Sequence, residues 1–263
     1  MLSTLMHPLA ICCVVLSLGQ QLPAARRQSA HTSSPQTNSD LGIGESLVYI
    51  YPPDATFLGP DFLGTGFFIT QSGTVLTAAH VVPGDACILQ LATTTGTLAV
   101  FADVRYRHEQ RDLAVLVPCE PLPARVRPLR FSSVPFPEKR NYFIPILFAL
   151  DHSWPEHKVS TFEAFAVAID DDFLYLDAKL PGGASGGPVI DDQGRVGAVI
   201  VSTRAFPMQL GRPIQNATTG SLKLSDPDTS FFVLKAQRLE SADIESMLNE
   251  SQSKASSLRS GKR

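Results

Sequence analysis

Leu180-Pro181-Gly182-Gly183-Ala184-Ser185-Gly186-Gly187-Pro188-Val189-Ile190 is the stretch on which the reading of this chain turns. A compact glycine loop carrying one serine ends in a proline and runs straight into an apolar strand. The plain reading of such a loop is a flexible turn with an incidental hydroxyl. A nucleophilic serine, however, needs neighbours without side chains, so that substrate and backbone can approach closely. The N–H groups of Gly183 and Ser185 can then converge on a developing oxyanion. Gly-x-Ser-x-Gly alone is a weak signal, and the strand–turn–helix setting of an α/β-hydrolase elbow is missing here. Two further glycines and Pro188 make the match more specific.

Two upstream segments gain meaning beside it. Leu76-Thr77-Ala78-Ala79-His80-Val81-Val82 ends a β-prone run at a histidine. A lone histidine there is ordinarily a hydrogen-bonded structural imidazole, but the small Ala78 and Ala79 leave room for close backbone packing. Arg111-Asp112-Leu113-Ala114-Val115-Leu116 places one carboxylate at the mouth of an apolar strand, where a turn aspartate is the plain reading. In the company of a histidine, a buried carboxylate fixes the tautomer and stabilises the imidazolium formed during proton transfer.

Strands and turns surround these segments. Ser46–Tyr51, Gly66–Thr70, Val75–Ala79, Cys87–Leu91, Leu98–Val104 and Leu113–Val117 are short β-prone runs, with Ser72 and Gly73 making a tight hairpin. Pro118, Pro121, Pro123 and Pro128 then interrupt the pattern and stiffen a crossing segment. A second set follows: Tyr142–Leu147, Val159–Ile169, Phe173–Asp177, Pro188–Ile190, Val196–Ser202 and Phe231–Leu234. Asp170-Asp171-Asp172 reads as a polar hairpin tip rather than a cation site. The expected fold is all-β: two six-stranded antiparallel β-barrels, about 45–117 and about 128–235. A short C-terminal helix from Lys235 to about Leu248 and a flexible tail complete residues 236–263.

The composition agrees. The chain has 263 residues, 44% of them hydrophobic and 18% charged, enough apolar content to bury a core. A net charge of -3 argues against a nucleic-acid binder working through a basic face. Residues 1–25 have the apolar run and small residues of a signal peptide, with a retained anchor as the alternative. Residues 26–44 read as a disordered linker. After cleavage only Cys87 and Cys119 remain, either paired in an oxidising compartment or as two buried thiols.

Taken together, Gly64-Thr65-Gly66-Phe67-Phe68-Ile69, Leu76 to Val81, Asp112 to Leu116 and Gly183 to Pro188 resemble the trypsin-like serine protease family. The resemblance is closest to its HtrA-like bacterial branch and covers roughly residues 45–235. The family order His, Asp, Ser is kept, with Asp112 32 positions after His80 and Ser185 73 positions after Asp112. The resemblance implies a trypsin-like fold in which His80 is the general base, Asp112 orients it and Ser185 attacks the scissile carbonyl. Gly183 and Ser185 would form the oxyanion hole, and no cofactor or metal is called for. A protein or peptide substrate, a secreted or periplasmic location and no stable membrane span follow from the same likeness and the leader.

Departures from the family pattern carry their own expectations. Ala184 stands where digestive members have an acidic residue, and no Ile-Val-Gly-Gly-like start occurs near residue 45, so activation by N-terminal insertion is not expected. Val81 replaces the usual cysteine after the histidine. The stretch after Lys235 is too short for the PDZ domain of HtrA proteins. By the same likeness Lys179, Ser202, Thr203 and Arg204 fall at the first specificity pocket. Two cations there would favour an acidic P1 side chain, unless Arg204 only narrows the pocket or Lys179 turns outward to solvent. Ala205 to Asp228 is long for a plain loop and reads as a flap. Asn216-Ala217-Thr218 is a glycosylation sequon only in a eukaryotic setting. The rival readings are a binding protein on the same fold and a serine esterase.

Overall fold

The computed structural model describes residues 43–55, 62–93, 96–122, 126–148, 158–178, 180–209 and 230–260. The expected signal peptide, most of the linker, Lys179 and the sequon at Asn216 lie outside them.

Six strands close into a first barrel: β1 (Leu47–Tyr51), β2 (Gly64–Phe68), β3 (Val75–Ala78), β4 (Ala86–Thr93), β5 (Gly96–His108) and β6 (Leu113–Pro118). They bond in the order β1-β2-β3-β6-β5-β4, and antiparallel pairing of β1 with β4 closes the ring. After the proline-rich crossing, β7 (Arg130–Phe131) lies parallel on a later strand. The second barrel comprises β8 (Asn141–Phe148), β9 (Lys158–Ile169), β10 (Phe173–Asp177), β11 (Pro188–Ile190), β12 (Arg195–Gln209) and β13 (Ser230–Arg238). Its order is β11-β8-β9-β10-β13-β12, closed by β11 pairing with β12. Two six-stranded antiparallel barrels are thus present as expected, with β7 an addition.

Why the strands read as continuous apolar runs follows from where their alternate faces go. Every residue of β1 is buried. Val48 and Ile50 point into the first barrel with Phe68, Val75 and Leu116. Leu47, Tyr49 and Tyr51 point the other way, into a cluster with Leu147, Ile190 and Val199 of the second barrel. A strand with a core on each face has no polar side to show.

Three segments depart from expectation. Ala205–Gln209 is not flap but the continuation of β12, paired with β13 from Phe206↔Val233 to Gln209↔Ser230. Lys235–Arg238 is strand, not helix, and α1 runs from Ser241 to Ser260 through residues expected to be tail. Cys87 is buried and Cys119 exposed, both as free thiols. Burial pushes the Cys87 thiol up to about 12, with the nearby Cys119 and Asp103 adding to the shift. The aspartate triplet is a hairpin tip: Asp170 Oδ1 accepts from the N–H groups of Asp172 (3.0 Å) and Phe173 (2.6 Å). Its Oδ2 accepts from Tyr175 Oη at 2.8 Å, so this carboxylate is fully occupied by its own turn.

Helix α1 is seated by both packing and charge. Ile244 and Met247 enter the inter-barrel cluster. Asp243 reaches back to accept from Glu240 N at 3.0 Å, an acid in the first turn closing the helix start. The same carboxylate takes two bonds from Arg111, 2.7 Å from Nη1 and 3.0 Å from Nη2. Burial works to raise its pKa, but the bonds from Arg111 and Glu240 overcome it and hold the carboxyl below its ordinary value. A lowered folded-state value means the stabilisation is whole above the unfolded value and lost as pH falls through the folded one. Asp243→Asn is therefore expected to cost about 1–3 kcal/mol above about pH 5, with the gap from wild type closing in acid. Urea unfolding across pH checks this; a gap independent of pH would remove the ionic account.

Candidate active site

His80 sits in a 3₁₀ turn, Ala79–Val81, directly after β3. Asp112 lies at the tip of the β5–β6 hairpin in the left-handed region, φ 53°. Aspartate tolerates that region better than most residues, and the conformation aims both its acceptors at one target. Its carbonyl takes Ala79 N at 3.0 Å, its Oδ1 takes His80 N at 2.9 Å and its Oδ2 meets His80 Nδ1 at 2.6 Å. An ionised carboxylate only accepts, so neutral His80 carries its proton on Nδ1 and leaves Nε2 as a free base. Asp112 is partly exposed (29%) rather than buried as expected, and the His80 side chain is 47% exposed. Asp103, another carboxylate of this hairpin, pairs instead with Arg105 at 2.7 Å.

The serine loop is fastened to both barrels. Thr65 of β2 donates from N to Ser185 O at 2.8 Å and from Oγ1 to Gly183 O at 2.7 Å. From the other side, Gly186 N donates to Ile200 O (2.7 Å) and Ile200 N to Gly187 O (2.9 Å) of β12. Gly183 has φ 87° and Gly186 φ 81°. A side chain at Gly183 would land on the Phe62 ring, and one at Gly186 on Thr65 O and Thr77 Oγ1. A Cβ at Gly64 would lie 2.7 Å from Val81 and 2.8 Å from Ser185 O, so the serine loop and the His80 turn both pack against Gly64. Ser185 is buried, and its hydroxyl makes no hydrogen bond to His80 among the described residues. His80 and Asp112 are thus in contact, with Ser185 held nearby by its backbone.

The Trypsin-like peptidase domain matches residues 64–199, just over half of the chain, including the segments that carry His80, Asp112 and Ser185. The chain belongs to the trypsin-like peptidase family. No curated protein matches it by sequence. The protease domain of MamO from Magnetospirillum magneticum, in its apo form, is similar in fold at a TM-score of 0.54. It shares 17% identity over 78% of this chain and 96% of that one. The serine protease of human pathogenic astrovirus gives 0.50 at 20% identity, covering 76% and 93%. Deg5 gives 0.49 at 19% identity, covering 61% and 80%.

Within this peptidase domain, Ser202 to Arg204 lie on β12, whose pairing with β13 shifts register between Ser202 and Phe206. The side chains of Thr203 and Arg204 are outside the described residues, as is Lys179. Sequence reasoning missed Thr65, which joins the barrels, and Arg107 and Arg111, which flank the site. The arginines stand in Arg105-Tyr106-Arg107 and Arg111-Asp112, where clustering beside a candidate carboxylate was the available signal. Thr65 stands inside the Gly64-Thr65-Gly66 motif, but nothing in that motif tells its role, which depends on a partner 118 residues away.

The glycines of the loop are expected to differ sharply. Gly186→Ala, which meets backbone and a left-handed φ, should lower stability by more than about 2 kcal/mol, whereas Gly182→Ala, with open space around it, should cost under about 1 kcal/mol. Thermal melts of the two variants check the contrast.

Proposed function

We propose that this peptidase is a serine endopeptidase that hydrolyses peptide bonds through an acyl-enzyme on Ser185. Family membership supports a protease, and one observation carries the finer reading. The His80 turn and Asp112 share three hydrogen bonds beside a serine loop seated on the same wall. In this reading Ser185 Oγ attacks the scissile carbonyl while His80 Nε2 takes its proton and later returns it to the leaving amine. Asp112 holds the Nδ1 tautomer and stabilises the imidazolium. The N–H groups of Gly183 and Ser185, neither hydrogen-bonded to another backbone group among the described residues, receive the oxyanion. A serine–histidine contact that is long without substrate commonly tightens in the Michaelis complex. The chemistry needs no cofactor.

The proposal extends to substrate and place. Lys179, Ser202, Thr203 and Arg204 are assigned to the first specificity pocket, with an acidic P1 residue as the expected preference. Profiling on a peptide library checks this, and a preference for Lys or Arg at P1 would overturn the cationic pocket. The leader assigns the protein to a secreted or periplasmic compartment, and sequencing the N terminus of exported protein tests it. No helix among the described residues is long and apolar enough to cross a membrane.

The central test is a fluorophosphonate probe, which should label wild type and leave Ser185→Ala unlabelled. Casein or peptide turnover then separates a protease from an esterase, and a folded wild type that takes no label would favour a binding protein. Ser185→Ala and His80→Ala are each expected to lower kcat by about 10⁴-fold or more, and Asp112→Asn by a similar order with the fold intact.

A further inference from the structure

Arg107 lies on β5 opposite Ala114 of β6, five residues before Asp112 on the same hairpin. Its guanidinium donates from Nη1 to Ala79 O at 2.8 Å, and from Nη2 to Val82 O at 2.6 Å and Gly84 O at 2.8 Å. Those three acceptors form the carbonyl rim of the turn that carries His80 and of the residues just after it. The turn has little of its own to hold it. Its internal bond is Val82 N to Ala79 O at 3.1 Å, and Ala78 before it offers no side-chain cap. Val81 packs against Gly64 without a covalent tie.

The bonds from Asp112 all fall on one side of this turn, at Ala79 N, His80 N and His80 Nδ1. A turn held only there could pivot about them and swing the imidazole relative to the serine loop. A guanidinium is planar and rigid, so three carbonyls bonded to one fork fix the far side in a single orientation. The Arg107 side chain is largely buried (22% exposed), and Glu109, 3.6 Å from its Nε, is a solvent-facing neighbour.

We propose that Arg107 is a positioning residue for His80. The β5–β6 hairpin grips the base turn from both sides, through Asp112 at one and Arg107 at the other. The proposal rests on the serine-protease reading of His80 and Asp112. It assigns Arg107 no contact with substrate, so its removal should act on turnover rather than on substrate binding.

Arg107→Met keeps the aliphatic stem and removes every donor. In folded protein it is expected to lower kcat by about 10²-fold, the order set by a small misplacement of a reacting group. KM should stay within about two-fold, because uniform binding is untouched. Arg107→Lys, which can still reach one or two carbonyls, should recover part of the lost kcat. Proton NMR gives a second readout: the far-downfield His80 Nδ1 proton of wild type should broaden or vanish in Arg107→Met. Wild-type kcat with an unaltered Nδ1 resonance in Arg107→Met, whatever its melting temperature, would overturn the proposal. Should Arg107→Met not fold, Arg107→Lys decides by the same two readouts: a reduced kcat at unchanged KM supports it, and wild-type values of both overturn it. Fluorophosphonate labelling of wild type on the same preparation separates the two levels. An unlabelled wild type defeats the protease reading and this inference with it, whereas a labelled wild type with an equally fast Arg107→Met defeats this inference alone.

Discussion

Two hydrogen bonds from Thr65, to Ser185 O at 2.8 Å and Gly183 O at 2.7 Å, fasten the glycine loop of the second barrel to the second strand of the first. His80 and Asp112 lie on the first barrel and Ser185 on the second, so under the proposed mechanism any slip between the barrels would separate the reacting groups. Apolar packing between barrels is strong but non-directional, and it cannot set a register to a fraction of an ångström. The Thr65 bonds can. Thr65 is itself held, its carbonyl accepting from Thr77 Oγ1 at 2.8 Å on the neighbouring strand. A side chain at Gly64, Gly183 or Gly186 would wedge this joint open, and that is why the loop is so poor in side chains.

Directional bonds also explain how an open site keeps its geometry. His80 is half exposed, and no disulfide stands beside it among the described residues. Its turn is instead tied by charged side chains on backbone groups, with Asp112 accepting from one side and Arg107 donating from the other. Bonds in which one partner is ionised are shorter and stronger than neutral ones, and they suit a turn too short to hold itself.

Much of this was legible from the residues. Short β-prone runs pointed to twelve strands, and the proline-rich stretch marked the change of barrel. The loop around Ser185, with His80 and Asp112 in order before it, pointed to the candidate site. What was not legible depended on distant partners. Lys235-Ala236-Gln237-Arg238 has the composition of a helix start, yet it pairs with β10, as Leu174↔Ala236 and Phe173↔Gln237. Lys235 Nζ lies 3.3 Å over the Phe173 ring, and Arg238 N and Gln237 Nε2 both donate to Asp172 O at 2.8 Å. Tertiary pairing overrides a weak local preference there. Arg107 likewise went unremarked in the sequence, because its three carbonyl partners are remote from it along the chain.

The pairing of Arg111 with Asp243 joins positions 132 residues apart, and Arg111 is the immediate neighbour of Asp112. Arg111 Nη2 also donates to Arg238 O at 2.8 Å, so both its anchors come from the end of β13 and the start of α1. During synthesis the first barrel can close well before those residues exist, since its own strands are all made by Pro118. The flank of Asp112 gains its last partners only after the second barrel has been translated. The order of synthesis thus delays completion of the flank of Asp112 until the barrel bearing the Ser185 loop is also present, and a half-made chain displays His80 and Asp112 without the serine that the proposed mechanism pairs with them.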